Sequence, residues 1–457
     1  MKRVVSHMKK TGIASGKQLR LPFIAKGDEI RFMNMKEGAP VKHVIAVSLL
    51  ERVLERGNMF TALQQVMDNK GCGGVDGLNV DELPAYLKEH WPRLREELRS
   101  GSYKPHPVKR VTIAKPGGGE RHLGIPTVVD RLIQQALLQV LQREWDPTFS
   151  DSSYGFRPER NAHQAVRAAR EFIRCGHKWV VDMDLEKFFD RVNHDVLMHR
   201  VRQRVHDPVV VSLIYRYLKA GVLSHAGYLD SDEGTPQGGP LSPLLSNLLL
   251  DDLDKELERR GHKFARYADD CNIYVKSRKA GNRVMRSVSH FLSRRLKLKV
   301  NEEKSAVDRP WRRKFLGFTF RSHKDVRIRV SPESERALKQ KVRVITKRTR
   351  GLSFDTIVEE LSKYLRGWVG YYQLNEIKRP FVELDKWIRR RLRCYAWKQW
   401  GRSGYRRLRE LGISVRLAWN TSKSAHGPWR LSHSPALNYA MPKTYFVERG
   451  LPSLADW

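Results

Sequence analysis

The sequence predicts an α+β fold, and two patterns support that prediction. A strand-like run precedes a pair of adjacent acids, Asp269 and Asp270, and apolar and polar residues alternate after them. A two-residue period is typical of half-buried strands, so both acids are expected at the tip of a tight hairpin. Beyond Ser331, apolar residues recur every three or four positions instead, which predicts packed helices. The chain should therefore combine a sheet that bears an acidic turn with a helical C-terminal region.

The composition favours a partner with many negative charges. The 457 residues are enough for two to four domains, and 40% of them are hydrophobic, so sizeable cores are expected. The formal net charge is +36, which is costly unless a polyanion such as nucleic acid neutralises it. A membrane is not expected, since no apolar run approaches the roughly 20 residues that a spanning helix needs. The cysteines lie far apart and form no C-x-x-C pair, so neither a zinc site nor a disulfide framework is predicted.

The N-terminal third is predicted to hold an arm, helices and a basic hairpin. Residues 1–45 form the arm, with seven Lys or Arg before the first acid; a transit peptide is the alternative. Apolar residues at helical spacing predict helices between 46 and 100. Two strands around a Pro-Gly-Gly-Gly turn then predict a hairpin with Lys115 and Arg121 near its tip, and Thr127 is predicted to cap the next helix. Such a hairpin can fold over a triphosphate; an exposed charged hairpin is the alternative.

A second acid-bearing stretch, residues 179–190, predicts an apolar strand that ends in a turn. If Asp184 ends this strand beside the predicted hairpin, three carboxylates converge. Carboxylates crowded at a rigid turn repel one another, and Mg²⁺ prefers such hard oxygen ligands. Two such ions, about 4 Å apart, are the arrangement used for phosphoryl transfer to a 3′ hydroxyl. For Asp269 and Asp270 taken alone, a solvated turn is the alternative.

The acidic motifs together resemble those of a known family. Tyr-Ala-Asp-Asp at 267–270, Asp-x-x-x-Phe-Phe-Asp at 184–190 and Gly-Thr-Pro-Gln-Gly-Gly-Pro at 234–240 are similar to motifs of the group II intron-encoded reverse transcriptases/maturases. The resemblance covers about residues 45–445. It implies a right-hand polymerase with fingers, a palm made of an antiparallel sheet and helices, and an α-helical thumb. It also implies an RNA-directed DNA polymerase that binds its intron RNA, assists its splicing and copies it into DNA.

The resemblance further implies roles for individual residues. Asp184, Asp269 and Asp270 are the catalytic residues and the ligands of two Mg²⁺ ions, for which Mn²⁺ can substitute. The residues expected to contact the dNTP are Lys115, Arg121, Phe189 and Gln237. Phe189 is the candidate gate that excludes a 2′ hydroxyl by its volume, a discrimination worth ~1–3 kcal/mol. Lys304 is the candidate general acid that protonates the leaving pyrophosphate.

The C-terminal region is predicted to bind RNA. Residues 331–400 resemble the family's thumb, called domain X in maturases, and residues 376–409 carry twelve Lys or Arg against three acids, with tryptophans between them. Aromatic planes beside cations suit RNA. Residues 401–457 are expected to form a basic nucleic-acid-binding tail without the paired cysteines of the family's His-Asn-His endonuclease. The residues expected to contact nucleic acid are Arg157, Gly238, Arg366, Trp387, Arg389, Arg390 and Arg393. A structural salt bridge is the alternative for Arg157.

These predictions divide the chain into the arm (1–45), an N-terminal extension with the fingers (46–180), the palm (181–330), the thumb (331–400) and the tail (401–457). The expected partners are intron RNA, an RNA template with a DNA primer, dNTPs and a DNA target, without a membrane; the oligomeric state stays open. A prokaryotic cytoplasm, near the nucleoid, is favoured over an organelle.

Two alternatives to the polymerase hypothesis remain. One is a splicing maturase whose polymerase is idle, and the other is a reverse transcriptase recruited to a defence or repair system. Retention of all three acids argues against the first. The maturase-like stretch at residues 366–372 argues against the second.

Overall fold

The computed structural model describes residues 48–114, 119–224, 227–322 and 325–457, and it confirms an α+β fold. The predicted arm and the hairpin tip with Lys115 lie outside the described residues. The helices are α1 (Leu49–Val53), α2 (Arg56–Asp68), α3 (Leu83–Arg99), α4 (Val128–Trp145), α5 (Ala162–Arg174), α6 (His194–Arg204), α7 (Pro208–Lys219), α8 (Ser242–Arg259), α9 (Arg278–Phe291), α10 (Pro332–Ile345), α11 (Phe354–Tyr372), α12 (Lys378–Trp400), α13 (Gly404–Glu410), α14 (Val415–Ser422), α15 (Pro428–Leu431), α16 (Pro435–Ala440) and α17 (Lys443–Glu448). The strands are β1 (Val108–Ala114), β2 (Glu120–Ile125), β3 (Trp179–Met183), β4 (Val222–Ser224), β5 (Gly227–Leu229), β6 (Lys263–Tyr267), β7 (Asp270–Val275), β8 (Ala306–Asp308), β9 (Phe318–Arg321) and β10 (Arg327–Val330). None of the described helices is both long and apolar enough to cross a membrane.

The predicted acidic hairpin is confirmed as β6 and β7, which lie in an antiparallel sheet with the strand order β6-β7-β3-β8. We call this the acidic sheet. One face packs against α9, where Gly281 allows close approach, because a Cβ there would lie 2.4 Å from Val307. The opposite face packs against α5 in an apolar cluster. That cluster includes Val166, Ala169, Val180 and Tyr274. The acidic sheet is therefore covered by helices on both faces.

The remaining described strands form a second four-stranded sheet and a two-stranded pair. β1 and β2 make the predicted basic hairpin and continue into a sheet with the order β2-β1-β4-β5, in which β1 and β4 run parallel. β9 and β10 form an antiparallel pair. Thr127 caps α4 as predicted: its Oγ1 accepts a hydrogen bond from the amide of Asp130 at 3.1 Å, which satisfies one of the free donors at the helix start.

The C-terminal helices share one apolar core. α10 begins at Pro332 after Ser331, whose hydroxyl accepts a hydrogen bond from the amide of Ser334, as the sequence predicted. The helical stripes of α11 and α12 pack in this core, and residues of α13, α16 and α17 join it. Examples from these later helices are Leu408, Leu437 and Phe446. Residues 401–457 therefore fold onto α12 instead of forming the separate tail that the sequence predicted, because they bury apolar side chains in the same core.

The described chain divides into two compact units, each built from separate stretches of sequence. One unit holds the described residues up to Ile113 together with His122–Glu144 and Met198–Ser242. The other holds Ala114–Arg121, Trp145–Leu197 and Pro243–Trp457, including the acidic sheet and the C-terminal helices. The predicted boundaries at 180 and 330 follow the order of the sequence and do not coincide with these units.

Candidate functional site

Three acids meet at one end of the acidic sheet. Asp184 directly follows β3, and Asp270 opens β7, the neighbour of β3. Continuing the register between these strands places Asp184 opposite Asp270 on the same sheet face. Asp269 lies in the two-residue turn between β6 and β7, where Tyr267 pairs with Asp270. The structure thus brings together acids that are far apart along the chain; their catalytic role stays a prediction.

Burial and mutual repulsion raise the pKa of two of these acids. Desolvation raises the pKa of Asp270 to about 8, and neighbouring carboxylates add to the shift. Those carboxylates belong to Asp182, Asp269 and Asp184. Desolvation also raises the pKa of Asp269, an effect that the guanidinium of Arg121 opposes. Crowding of this kind is what a bound divalent cation relieves.

The donor atoms present at this end of the sheet suit magnesium, because carboxylate oxygens are the ligands that Mg²⁺ prefers. Across the described residues, however, no group of three or more His, Cys, Asp or Glu side chains is arranged to hold a metal ion. Asp184 faces a cation of the protein instead, since Lys304 Nζ lies 3.6 Å from its Oδ2. The acids fit Mg²⁺ by their chemistry, and their arrangement around an ion stays a prediction.

A fourth acid, Asp182, was not among the predicted site residues. It lies two positions before Asp184, so both side chains point to the same face of the sheet. Arg313 holds it: the distance from Arg313 Nε to Asp182 Oδ2 is 2.7 Å, and the same guanidinium donates to the carbonyl of Lys304. Arg313 therefore links the acidic face to the candidate general acid. The Asp-x-Asp spacing in a predicted strand is the sequence signal that could have identified Asp182.

The two consecutive phenylalanines occupy different environments. Phe188 is buried, whereas Phe189 is only half-buried. Their rings meet edge to face with centroids 5.1 Å apart. Lys187, just before them, has a φ of 47°, in the left-handed region that turns the chain sharply after the strand. Phe189 keeps the accessible surface that a steric gate needs, and its role as the gate stays a prediction.

The Gly-rich loop at 234–240 is hydrogen-bonded to β2. The carbonyl of Gln237 accepts a hydrogen bond from the amide of Gly124 at 2.9 Å. Gly238 has a φ of 139°, and a Cβ there would lie 2.6 Å from the carbonyl oxygen of Gly124. This position requires glycine because two protein backbones approach each other here. Gly238 is exposed, and its contact with nucleic acid stays a prediction. The Gln237 side chain is half-buried, and its contact with a dNTP stays a prediction.

Two family models match the chain in succession. Residues 113–320 match the model "Reverse transcriptase (RNA-dependent DNA polymerase)", and residues 335–412 match "Group II intron, maturase-specific domain". The chain belongs to the group II intron-encoded reverse transcriptase/maturase family. It therefore carries an RNA-directed DNA polymerase domain followed by a maturase domain.

Two known proteins are similar in sequence to large parts of this chain. Protein YkfC of Escherichia coli (strain K12) is 34% identical over 321 residues, which are 62% of this chain and 83% of that protein. The group II intron-encoded protein LtrA of Lactococcus lactis subsp. cremoris is 37% identical over 261 residues, which are 56% of this chain and 42% of LtrA. The match thus spans less than half of LtrA. Among solved structures, the match to one chain of the partial Cas6-RT-Cas1--Cas2 complex covers 55% of this chain and 43% of that chain. The identity is 27% and the TM-score is 0.36.

Arg157 of the reverse transcriptase domain is a structural residue. Its side chain is only 4% exposed, and its Nε lies 2.8 Å from Asp146 Oδ1. Its other N–H groups donate to the Asp146 carboxylate and to the carbonyls of Asp146, Ser150 and Ser153. No donor is left for a phosphate, so the structural alternative is correct and the predicted nucleic-acid contact is not.

Arg393 of the maturase domain is also turned inward. It is buried, and its Nε and a terminal nitrogen both donate to the carbonyl of Met441, at 3.0 and 2.8 Å. Desolvation lowers the pKa of its guanidinium to about 10. The prediction that Arg393 contacts nucleic acid is corrected, because this side chain is buried and bound to the Met441 carbonyl.

Other predicted contacts of the maturase domain remain accessible. Arg366 is exposed and donates to the carbonyl of Gly450, while Arg389 is half-buried. Arg390 lies 4.0 Å from the ring centroid of Trp429, an exposed aromatic that the sequence analysis did not single out. Trp387 packs mainly against the apolar core of the domain. Stacked Arg and Trp side chains suit bases and phosphates, and the contacts themselves stay predictions.

Proposed function

We propose that this chain is an RNA-directed DNA polymerase that binds its own group II intron RNA, assists the splicing of that RNA and copies it into DNA during intron mobility. The succession of a reverse transcriptase domain and a maturase domain supports the proposal. The observation that supports it most is the meeting of Asp184, Asp269 and Asp270 at one end of the acidic sheet. A raised pKa in two of them is typical of carboxylates that share a functional site.

In this proposal the three acids hold divalent cations, Mg²⁺ or in its place Mn²⁺. When bound, these ions supply the positive charge that neutralises the triphosphate and favours ionisation of the 3′ hydroxyl. Lys115 and Arg121 bind the triphosphate, because their charges are complementary to it. Gln237 hydrogen-bonds the new base pair, and Phe189 excludes a 2′ hydroxyl. Lys304 donates a proton to the leaving pyrophosphate.

The proposed partners are the intron RNA, an RNA template with a DNA primer, dNTPs and a DNA target. The net charge of +36 supports a polyanionic partner. LtrA, a relative over 56% of this chain, is itself a group II intron-encoded protein. We place the protein in a prokaryotic cytoplasm, near the nucleoid.

Substitution of Asp269 by alanine tests the proposal. Primer extension on an RNA template should fall by roughly 10²–10³-fold or more, as when a preorganised electrostatic group is removed. RNA affinity should stay within about threefold of wild type, because Asp269 is an acid and is not among the residues proposed to contact RNA. Asp81→Ala removes an exposed acid outside the acidic sheet and serves as the control.

Two outcomes would change the assignment. Extension that survives Asp269→Ala would reject the acidic site. A wild-type chain that binds and splices intron RNA but never extends a primer would instead support the maturase with an idle polymerase.

A further inference from the structure

A buried guanidinium lies beneath the acidic turn. Arg266, in β6, has its side chain 1% exposed, and its partner Asp254, in α8, is fully buried. The two form a bidentate pair, with Nε–Oδ1 at 2.8 Å and a terminal nitrogen–Oδ2 at 2.5 Å. The remaining N–H groups donate to Asn247 Oδ1 at 3.0 Å, Ser153 Oγ at 2.8 Å and the carbonyl of Ala268 at 2.9 Å. Every donor of this arginine is therefore satisfied.

The groups around Arg266 come from three separate parts of the chain, and together we call them the Arg266 socket. α8 supplies Asn247 and Asp254, two turns apart on one side of the helix. The loop before α5 supplies Ser153. Its backbone also bonds that of Arg266: the amide of Arg266 donates to the carbonyl of Ser152, and the amide of Tyr154 donates to the carbonyl of Arg266. The socket thus holds β6 against α8 and against the loop before α5, neither of which is a strand of the acidic sheet.

The loop also packs directly against the acidic turn. A Cβ at Gly155 would lie 2.2 Å from the amide nitrogen of Ala268 and 2.9 Å from the carbonyl carbon of Tyr267, so only glycine fits. Asn247 Nδ2 in turn donates to the carbonyl of Gly155 at 2.8 Å. The same asparagine thus holds both the guanidinium and the loop that supports the turn.

The hydrogen bond to Ala268 is the link to the site acids. Ala268 has a φ of 58°, a left-handed conformation that is unfavourable for an L-residue. Its carbonyl belongs to the peptide that leads into Asp269, so a donor fixed on that oxygen fixes the orientation of this peptide. Because Arg266 is itself held by four other bonds, its guanidinium cannot follow a rotation of this peptide, so such a rotation would break the bond to Ala268.

We propose that the Arg266 socket is a positioning device that sets the orientation of Asp269 and Asp270 for nucleotidyl transfer. A buried ion pair adds little stability compared with an apolar pair of similar volume. Its benefit here is geometric, since displacement of a reacting group by about 1 Å can cost roughly 10²-fold in rate. The proposal rests on the proposed polymerase function for its effect on rate, but the restraint on the turn can be measured without activity.

Two variants and one matched control test the socket. Arg266→Lys keeps the charge but cannot make five hydrogen bonds, and Asn247→Ala is a milder change that removes one bond to Arg266 and one to Gly155. Arg393→Lys is the control, because Arg393 is another buried arginine in the same unit, and its hydrogen bonds go to the carbonyl of Met441, away from the socket and the turn. Each variant is assayed as the full chain, well below its unfolding temperature.

Three measurements separate positioning from general loss of structure. Single-nucleotide incorporation gives kcat and the KM for dNTP, filter binding gives the Kd for RNA, and hydrogen–deuterium exchange follows the peptide that spans the turn. We expect Arg266→Lys to lower kcat by roughly 10²-fold, with KM and Kd within about threefold of wild type. The turn should exchange faster in both socket variants and at the wild-type rate in Arg393→Lys.

The opposite results would overturn the proposal. A kcat for Arg266→Lys no lower than that of Arg393→Lys would mean that the socket only stabilises the fold. Unchanged exchange at the turn in both socket variants would mean that Arg266 does not restrain it. If the wild-type chain extends no primer, the proposed function fails, and the exchange comparison alone still decides whether the socket holds the turn.

Discussion

At the scale of single residues, the acidic turn is electrostatically unfavourable without a cation. The folded-state pKa of Asp270 is about 8, compared with an ordinary value of 3.8. Between these values the folded chain keeps a proton on Asp270 that the unfolded chain has lost. The folded state therefore binds more protons in this window, and stability falls as the pH rises through it. The acidic sheet and the elements packed against it must therefore hold the turn in place despite the repulsion between its carboxylates.

Asp270→Asn should remove most of that pH dependence. In the metal-free protein, we expect the wild type to lose about 2 kcal/mol more unfolding free energy than the variant between about pH 5 and pH 8, since one pKa unit corresponds to about 1.4 kcal/mol and partial exposure reduces the full effect. Urea unfolding in EDTA measures this difference. Asp190→Asn, which changes an exposed acid in the same part of the chain, is the control. Equal pH slopes for wild type and Asp270→Asn would contradict the expectation.

Strand alternation is the reason why the site acids could be predicted from sequence. Asp269 and Asp270 lie between two stretches that the sequence predicts as strands, and Asp184 follows a third predicted strand. The local pattern alone therefore suggests that these acids lie at strand ends. Burial of charged side chains has no such local signal. Arg393 was predicted to contact nucleic acid, yet the carbonyl that binds it belongs to a residue 48 positions away. The partners of Arg266 are spread over α8, the turn and Ser153, which is 113 positions away, so the socket was not predictable either.

At the scale of elements, α12 contributes apolar residues to the core of the maturase domain and also binds the C-terminal residues 453–455. Asp385, buried in this helix, accepts three hydrogen bonds from the last turn: from Ser453 Oγ at 3.0 Å, Leu454 N at 3.0 Å and Ala455 N at 3.1 Å. A carboxylate that receives backbone donors at a helix start is a strong anchor. The C-terminal residues are thus held to α12 by charge as well as by apolar contact.

Asp385→Ala should release this anchor. We expect a loss of about 3 kcal/mol in unfolding free energy, because three hydrogen bonds to a charged group disappear and two backbone donors lose their partner. Urea unfolding gives the loss, and hydrogen–deuterium exchange should show faster exchange in the last eight or so residues. Glu383→Ala, an exposed acid of the same helix, should cost no more than about 0.5 kcal/mol. Equal losses in the two variants would show that Asp385 is not an anchor.

Helix length separates the elements that sequence could predict from those it could not. α10 and α11 each begin after a serine cap, and α11 holds its apolar stripe over 19 residues, so the pattern is clear. α13 to α17 contain only four to eight residues each. About two turns or fewer hardly establish a period, so this stretch was predicted only as a basic nucleic-acid-binding tail. Its buried apolar residues become evident only when α12 is in place.

At the scale of the whole molecule, the net charge of +36 is the property that most constrains the partner. Some of the arginines are neutralised within the fold, as in the pair of Arg266 with Asp254. Others, such as Arg366 and Arg389, stay wholly or partly accessible to solvent. Accessible cations that meet phosphates release counterions, so RNA affinity should depend steeply on salt.

We therefore expect the logarithm of the RNA association constant to fall with the logarithm of salt concentration with a slope of about −4 or steeper, which corresponds to six or more phosphate contacts on single-stranded RNA. Filter binding at several salt concentrations measures the slope. Arg389→Ala should make it shallower by about 0.7 if this residue contacts one phosphate. Arg393→Ala is the matched comparison from the same helix: it should lower the unfolding temperature and leave the slope unchanged, because its guanidinium is bound to Met441. A wild-type slope shallower than about −2 would mean that few phosphates are contacted, and binding would then rest on aromatic stacking, whose salt dependence is weak.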